Sequence, residues 1–209
     1  MGVETVYLDT IDGIEIEADV IRTDAETVRA TVVIAHPHPL YGGDRHNHVV
    51  RALQEAAVGL GCHSVAVDFR GVGNSGGIHD GGDAERLDLM AACELADMMN
   101  PDGPIVMSGY SFGSVVGLNV THPLIAGWIC LAPPVALMSS EPIASRYGQP
   151  KILMTPEHDQ FTSPVDLRER VKEWQNTTVV ELASVDHMIA VGAAPAAARA
   201  LASVLGIAT

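Results

Sequence analysis

A chain of 209 residues with 47% hydrophobic side chains can bury a sizeable core, is expected to form a single domain over residues 1–209, and is too apolar to remain disordered. Its formal net charge of −14, with only 12 Lys and Arg, argues against nucleic acid and anionic membrane as partners, since both need clustered cations. Cys62, Cys93 and Cys130 are odd in number and far apart, which argues against a disulfide framework or a zinc site and favours a reducing compartment.

Met1 to Thr10 carries neither a basic segment nor an apolar run, so no signal peptide is expected and a cytoplasmic location is. Two antiparallel strands are predicted over Glu4–Asp9 and Ile14–Ile21, turning at Asp12-Gly13. In the second, Ile14, Ile16, Ala18 and Val20 alternate with Glu15, Glu17 and Asp19, the period of a half-buried strand. Short β-rich runs follow at Thr31–Ala35, Ser64–Phe69, Ile105–Met107, Trp128–Leu131, Lys151–Thr155 and Thr178–Leu182, the pattern of strands covered on both faces.

Helical patterns separate these runs. Val49, Val50, Leu53, Ala56, Ala57 and Leu60 recur at helical spacing, and Ser163-Pro164-Val165-Asp166 reads as an N-cap, an N1 proline and an acidic N3. The Ala-rich tail from Met188 to Thr209 contains Pro195 and Arg199, so it reads as a core-packed terminal helix rather than a membrane span. Alternating strands and helices imply right-handed crossovers and an α/β fold: a mostly parallel eight-stranded sheet with helices on both faces.

The chemistry centres on Gly109-Tyr110-Ser111-Phe112-Gly113, which follows the apolar run Pro104–Met107. Gly-x-Ser-x-Gly between a strand and a helix is a nucleophile elbow, a strained turn that holds a serine Oγ clear of the sheet. Glycines flank it because a Cβ two residues either side would collide with the turn. A serine hydroxyl needs a base within hydrogen-bond reach, itself oriented by a carboxylate. In this fold acid and base follow the serine in that order, each on a loop past a later strand. Asp159 follows the Lys151–Thr155 run and His187 follows the Thr178–Leu182 run, so Ser111, Asp159 and His187 are the expected triad. Glu157 is the weaker choice of acid; Asp186 is expected to tie down loop backbone and His158 to face solvent.

An oxyanion hole needs preorganised N–H donors. The Phe112 amide, directly after the nucleophile and at a helix N-terminus, is the first. The second is expected from His36-Pro37-His38-Pro39-Leu40-Tyr41-Gly42-Gly43, where the two prolines have no N–H to give. His38, Leu40 and Tyr41 are the possible donors, and His38 is preferred. Leu40, Tyr41, Tyr110 and Pro134 are the expected substrate contacts, Pro134 within an apolar wall over Pro133–Met138.

His36 to Gly43, then Asn47-His48-Val49-Val50, then Asp68-Phe69-Arg70-Gly71-Val72-Gly73-Asn74-Ser75-Gly76-Gly77 resemble the small, lid-poor bacterial α/β-hydrolases near the dienelactone-hydrolase and esterase branch. The likeness runs over nearly the whole chain, and relatives are mostly described as esterases or simply as α/β-hydrolases. The resemblance implies the fold and the triad more firmly than the substrate. It also implies that the Asp68–Gly77 turn is structural, with Arg70 paired to a nearby acid. Met188-Ile189 departs from the aromatics that relatives often carry after the histidine.

Only Ala132 to Pro150 lie between the sixth and seventh runs, room for a short helix near Glu141–Tyr147 but for no cap domain. A shallow, open cleft for a small or short-chain acyl group, or for one end of a larger ester, is therefore expected. His36, His38, His46 and His48 lack the acid or cysteine that would complete a metal site, and loop packing is the better account of them. His63, His79 and His122 have no evident partners. The expected protein is a cofactor-free serine hydrolase acting on a small-molecule ester, thioester or lactone, as a monomer or homodimer. A non-catalytic binding protein of the same fold and a cofactor-free perhydrolase or acyltransferase are the alternatives.

Overall fold

The structure is a computed structural model that describes residues 2–207. Strand β1 (Val3–Asp9) and β2 (Glu15–Ile21) make the antiparallel hairpin, in a register that sets Tyr7 opposite Glu17. Then come β3 (Thr31–Ala35), helix α1 (His48–Gly59), β4 (His63–Val67), α2 (Glu85–Met99), β5 (Ile105–Tyr110) and α3 (Phe112–Gly117). The chain finishes with β6 (Ile125–Leu131), β7 (Lys151–His158), α4 (Pro164–Arg170), β8 (Thr177–Asp186) and α5 (Ala193–Val204). The eight strands form one sheet in the order β1-β2-β4-β3-β5-β6-β7-β8. The hairpin and its junction with β4 are antiparallel; from β4 to β8 all neighbours are parallel.

Successive side chains of the central strands feed two separate cores. Val32, Ile34, Ala66, Val106 and Ile129 face α1 and α5, while Val33, Val65, Val67, Met107 and Leu153 face α2, α3 and α4. Both faces are covered, which is why these strands are apolar without alternation. Helix α1 begins where Asn47 Oδ1 accepts the Val49 amide at 2.9 Å, and α4 where Ser163 Oγ accepts the Asp166 amide at 3.1 Å. The terminal helix starts five residues later than Met188, after Gly192 at φ 84°, and buries Ala196, Ala197, Ala200 and Leu201. The last two residues of the expected tail helix lie outside the described residues. Among the described residues no helix is long and apolar enough to cross a membrane.

The alternation in β2 predicts one wet face, and the structure corrects that. Glu17 and Asp19 are both buried, because Arg45 and the Asp68–Gly77 turn cover them. Arg45 donates to Glu17 at 2.8 Å and pairs with Asp68, whose other oxygen takes the Arg45 amide at 2.7 Å. The Glu17 carboxyl feels burial pushing its pKa up, but the Arg45 and Asn74 hydrogen bonds outweigh this and hold it below the ordinary value. Beside this cluster Arg70 bonds the buried Asp88 at 2.8 Å and Asp12 at 2.8 Å, the acid partners expected of it. These ion pairs fix the turn that carries the chain from β4 toward α2.

Candidate active site

The carboxyl ends of neighbouring parallel strands lie along one edge of the sheet, the position where open α/β sheets carry ligands. Strand β5 ends at Tyr110, β7 at His158 and β8 at Asp186, so Ser111, Asp159 and His187 are each the first residue past a strand. Ser111 sits at φ 52° and ψ −120°, a region costly for any residue with a Cβ. Flanking glycines make this turn possible: a Cβ on Gly113 would lie 2.4 Å from the His36 carbonyl oxygen, and one on Gly109 2.6 Å from the Gly113 backbone.

The three side chains form one hydrogen-bonded line. Ser111 Oγ is 2.9 Å from His187 Nε2, and His187 Nδ1 is 2.7 Å from Asp159 Oδ2. Asp159 Oδ1 accepts the Phe161 and Thr162 amides at 2.8 and 3.0 Å. Burial raises the pKa of this carboxyl, but the His187 bond and the two amides overcome the effect, and the net shift is downward. An ionised Asp159 can only accept, so His187 Nδ1 carries the proton and Nε2 is left to accept from Ser111. Glu157 is occupied elsewhere, taking the Ser184 amide at 2.8 Å, and His158 faces solvent. Asp186 accepts the Met188 amide at 3.0 Å and so secures loop backbone.

Four further groups hold His187 in place. The Tyr110 hydroxyl donates to the His187 carbonyl at 2.7 Å. His48 Nε2 donates to the Met188 carbonyl at 3.0 Å, from the first turn of α1. The Phe161 ring meets the imidazole edge-on at 4.5 Å, and the Asp186 bond closes the loop. His48 and Phe161 carry no signal in the local sequence; each acts through a contact that the fold alone creates.

Two of the three candidate amides in the loop after β3 are already hydrogen-bonded. The Leu40 amide donates to His38 Nδ1 at 3.2 Å and the Tyr41 amide to the His38 carbonyl at 3.1 Å. Among the described residues no acceptor takes the His38 or Phe112 amide. The two residues also touch, with ring centroids 4.8 Å apart. His79 packs against both rings, at 4.9 and 5.4 Å, and is held by the buried Glu85 at 2.6 Å, so it does have a partner that the sequence hid. His36 plays a structural part instead. It is fully buried and accepts the Phe69 amide at 3.0 Å, and burial pushes its imidazole down to about 4. Among the described residues no group of His, Cys, Asp and Glu is arranged to hold a metal ion.

Ser111 and His187 open onto a cavity of about 1030 Å³, also lined by Tyr41, Tyr110 and Pro134. Ligand pockets commonly span about 300–1,000 Å³, so this one is larger than a short acyl group requires. Tyr110 reaches the cavity although it is only 2% exposed, and its hydroxyl serves the His187 loop. Leu40 departs from expectation. It does not line the cavity and is 74% exposed, because the turn Pro39–Tyr41 carries its side chain outward.

Fold, elbow and hydrogen-bonded line together are those of the compact α/β-hydrolase class without a cap. The sequence profile of the Hydrolase_4 family, described as serine aminopeptidase S33, matches residues 26–204, and the chain belongs to that family. It is 28% identical over 149 residues to an uncharacterized protein of Rickettsia prowazekii, a match spanning 69% of this chain and 63% of that one, so just under two thirds of the relative's length is represented. An α/β serine hydrolase homologue from Coxiella burnetii superposes with a TM-score of 0.83 and 26% identity, over 98% of this chain and 96% of the other. A lid-free α/β serine hydrolase from Xanthomonas campestris gives 0.83 and 26%, covering 99% and 94%. The esterase Pf2001 of Pyrococcus furiosus, at 21% identity, TM-score 0.78 and coverage of 98% and 92%, shares the fold.

Proposed function

We propose that this chain hydrolyses carboxylic esters, with thioesters and lactones open to the same chemistry, through an acyl-enzyme on Ser111. The continuous hydrogen-bonded line from Ser111 Oγ through His187 to Asp159 carries the reading. As Ser111 Oγ attacks the carbonyl carbon, its proton passes to His187 Nε2, and Asp159 stabilises the imidazolium that results. The carbonyl oxygen becomes an oxyanion facing the free Phe112 and His38 amides. His187 then gives its proton to the departing alkoxide, leaving the acyl group on Ser111. Water repeats the sequence with His187 as base, releasing the acid and restoring the serine.

An ester fits the cavity better than an amino-terminal peptide. A peptide amine needs a carboxylate to bind it, and Asp83 is the one carboxylate among the described residues lining the cavity. Arg86 bonds one of its oxygens at 2.5 Å, and an ester needs no such group. The working protein is read as a monomer or homodimer that needs no nucleic acid, membrane or cofactor, in a reducing cytoplasm.

A fluorophosphonate probe tests the reading. Covalent labelling of the native protein that maps to Ser111 and vanishes in Ser111→Ala is the expected result. A folded protein that is not labelled would favour a non-catalytic binding protein, and labelling that survives the substitution would place the reactive nucleophile elsewhere; either result defeats the reading.

A further inference from the structure

Helix α3 does more than carry the nucleophile at its start. Phe112, Val115 and Val116 follow one another at helical i, i+3, i+4 spacing on α3, and they line the cavity together with Asn119, two residues past the helix end. The stripe is apolar from Phe112 to Val116 and polar only at Asn119. With a rise of 1.5 Å per residue, α3 extends about 9 Å from Ser111 before the chain reaches Asn119. The opposite wall is the segment after β6, where Leu137, Met138 and Ile143 face the same space. Asn119 Oδ1 accepts the Ile143 amide at 3.2 Å, so this wall is tied to the far end of the stripe. Gly82, at φ 118°, forms the third side; a Cβ there would already touch the Phe112 ring at 3.5 Å. Arg86, Ser139 and Ser140 are further polar residues of the lining.

Resting on the hydrolase reading, we propose that this groove is the acyl site and that the natural acyl group is an aliphatic chain of medium length, near octanoyl. The chain leaves the carbonyl carbon at Ser111 and runs along α3 between Val115 and Met138. Each methylene removed from water there raises kcat/KM by up to about fourfold. The same groove sets an upper limit. A longer chain runs past the apolar stripe at Asn119, where further methylenes gain no apolar cover. Acetyl esters leave the stripe empty, and palmitoyl esters overrun it.

The test is kcat/KM for p-nitrophenyl esters from acetyl to palmitoyl, on the native protein and on two variants that narrow the groove from opposite walls, Val115→Phe and Met138→Trp. The native profile should peak near octanoyl, at least about tenfold above butanoyl. In each variant the octanoyl-to-butanoyl ratio should fall about tenfold or more and the peak should move to shorter chains. Two variants on separate elements keep the test decisive if one does not fold, and fluorophosphonate labelling reports which are folded. A native optimum at acetyl or butanoyl overturns the proposal. So does a ratio unchanged in a folded variant, since the acyl chain then lies elsewhere. Turnover at short chains alone defeats this inference and leaves the hydrolase reading standing, whereas absence of turnover at every length defeats both.

Discussion

Ser111→Ala is expected to lower kcat on any ester this protein hydrolyses on the order of 10⁶-fold, without unfolding it. The hydroxyl supplies the attacking oxygen, and the fold does not depend on it: its one side-chain partner is His187 Nε2. The residue does store strain, since a Cβ at φ 52° and ψ −120° costs about 1–3 kcal/mol. Alanine keeps that cost and glycine removes it. Ser111→Gly should therefore be as inactive as Ser111→Ala and measurably more stable than either the alanine variant or the native protein. Thermal melts beside initial rates check both halves. A Ser111→Ala protein that retains a tenth of native turnover places the nucleophile elsewhere.

Asp159→Asn should cost about 10⁴-fold in kcat through a change of tautomer rather than of shape. Asp159 Oδ1 takes two backbone amides, and an asparagine oxygen would keep that position. Its amide nitrogen would then face His187 Nδ1, where only an acceptor fits. The imidazole proton moves to Nε2, and the lone pair that receives the Ser111 proton is lost. The pH dependence of stability separates this from a folding defect. A carboxyl with a lowered folded pKa contributes its full stability above the unfolded value, near 3.9, and loses it only as pH falls through the lowered folded value. The melting-temperature gap between native and Asp159→Asn proteins should not narrow between neutral pH and about 4 and should narrow below that. A gap that closes between pH 7 and 5 contradicts an ionised, hydrogen-bonded Asp159.

Side chains fixed by chain position were legible in the sequence. Ser111, Asp159 and His187 follow β-rich runs that end at Met107, Thr155 and Leu182. The strands extend to reach them at Tyr110, His158 and Asp186, so chain order past the strands places them on one edge of the sheet. The prolines at 37 and 39 narrow the donors in the loop after β3 by residue type alone. Side chains whose roles depend on distant partners were not legible. His48 meets the Met188 carbonyl across 140 positions, and Tyr110 meets the His187 carbonyl across 77. No local pattern encodes such a contact. The same limit explains β2, whose alternation of Ile16 and Ala18 with Glu17 and Asp19 reads as one wet face. Arg45, 28 positions from Glu17, closes over that face and buries it. Leu40 failed for the opposite reason: its neighbours line the cavity, but the direction of a side chain in a short turn depends on backbone angles that residue type does not set.

These contacts give the site its rigidity. His187 lies on a loop, the mobile kind of segment, yet it is pinned from α1 by His48, from β5 by Tyr110 and from the loop after β7 by Phe161. Nucleophile and base are thus referred to the same sheet, and a preorganised line needs little rearrangement when substrate arrives.

The most direct measurement is acid quenching of the protein during turnover of an activated ester, followed by mass analysis of its peptides. An acyl adduct confined to the peptide holding Ser111, formed in the first turnover and absent from Ser111→Ala, is the predicted result. Hydrolysis that proceeds with no adduct, or with the acyl group on another residue, would contradict an acyl-enzyme at Ser111.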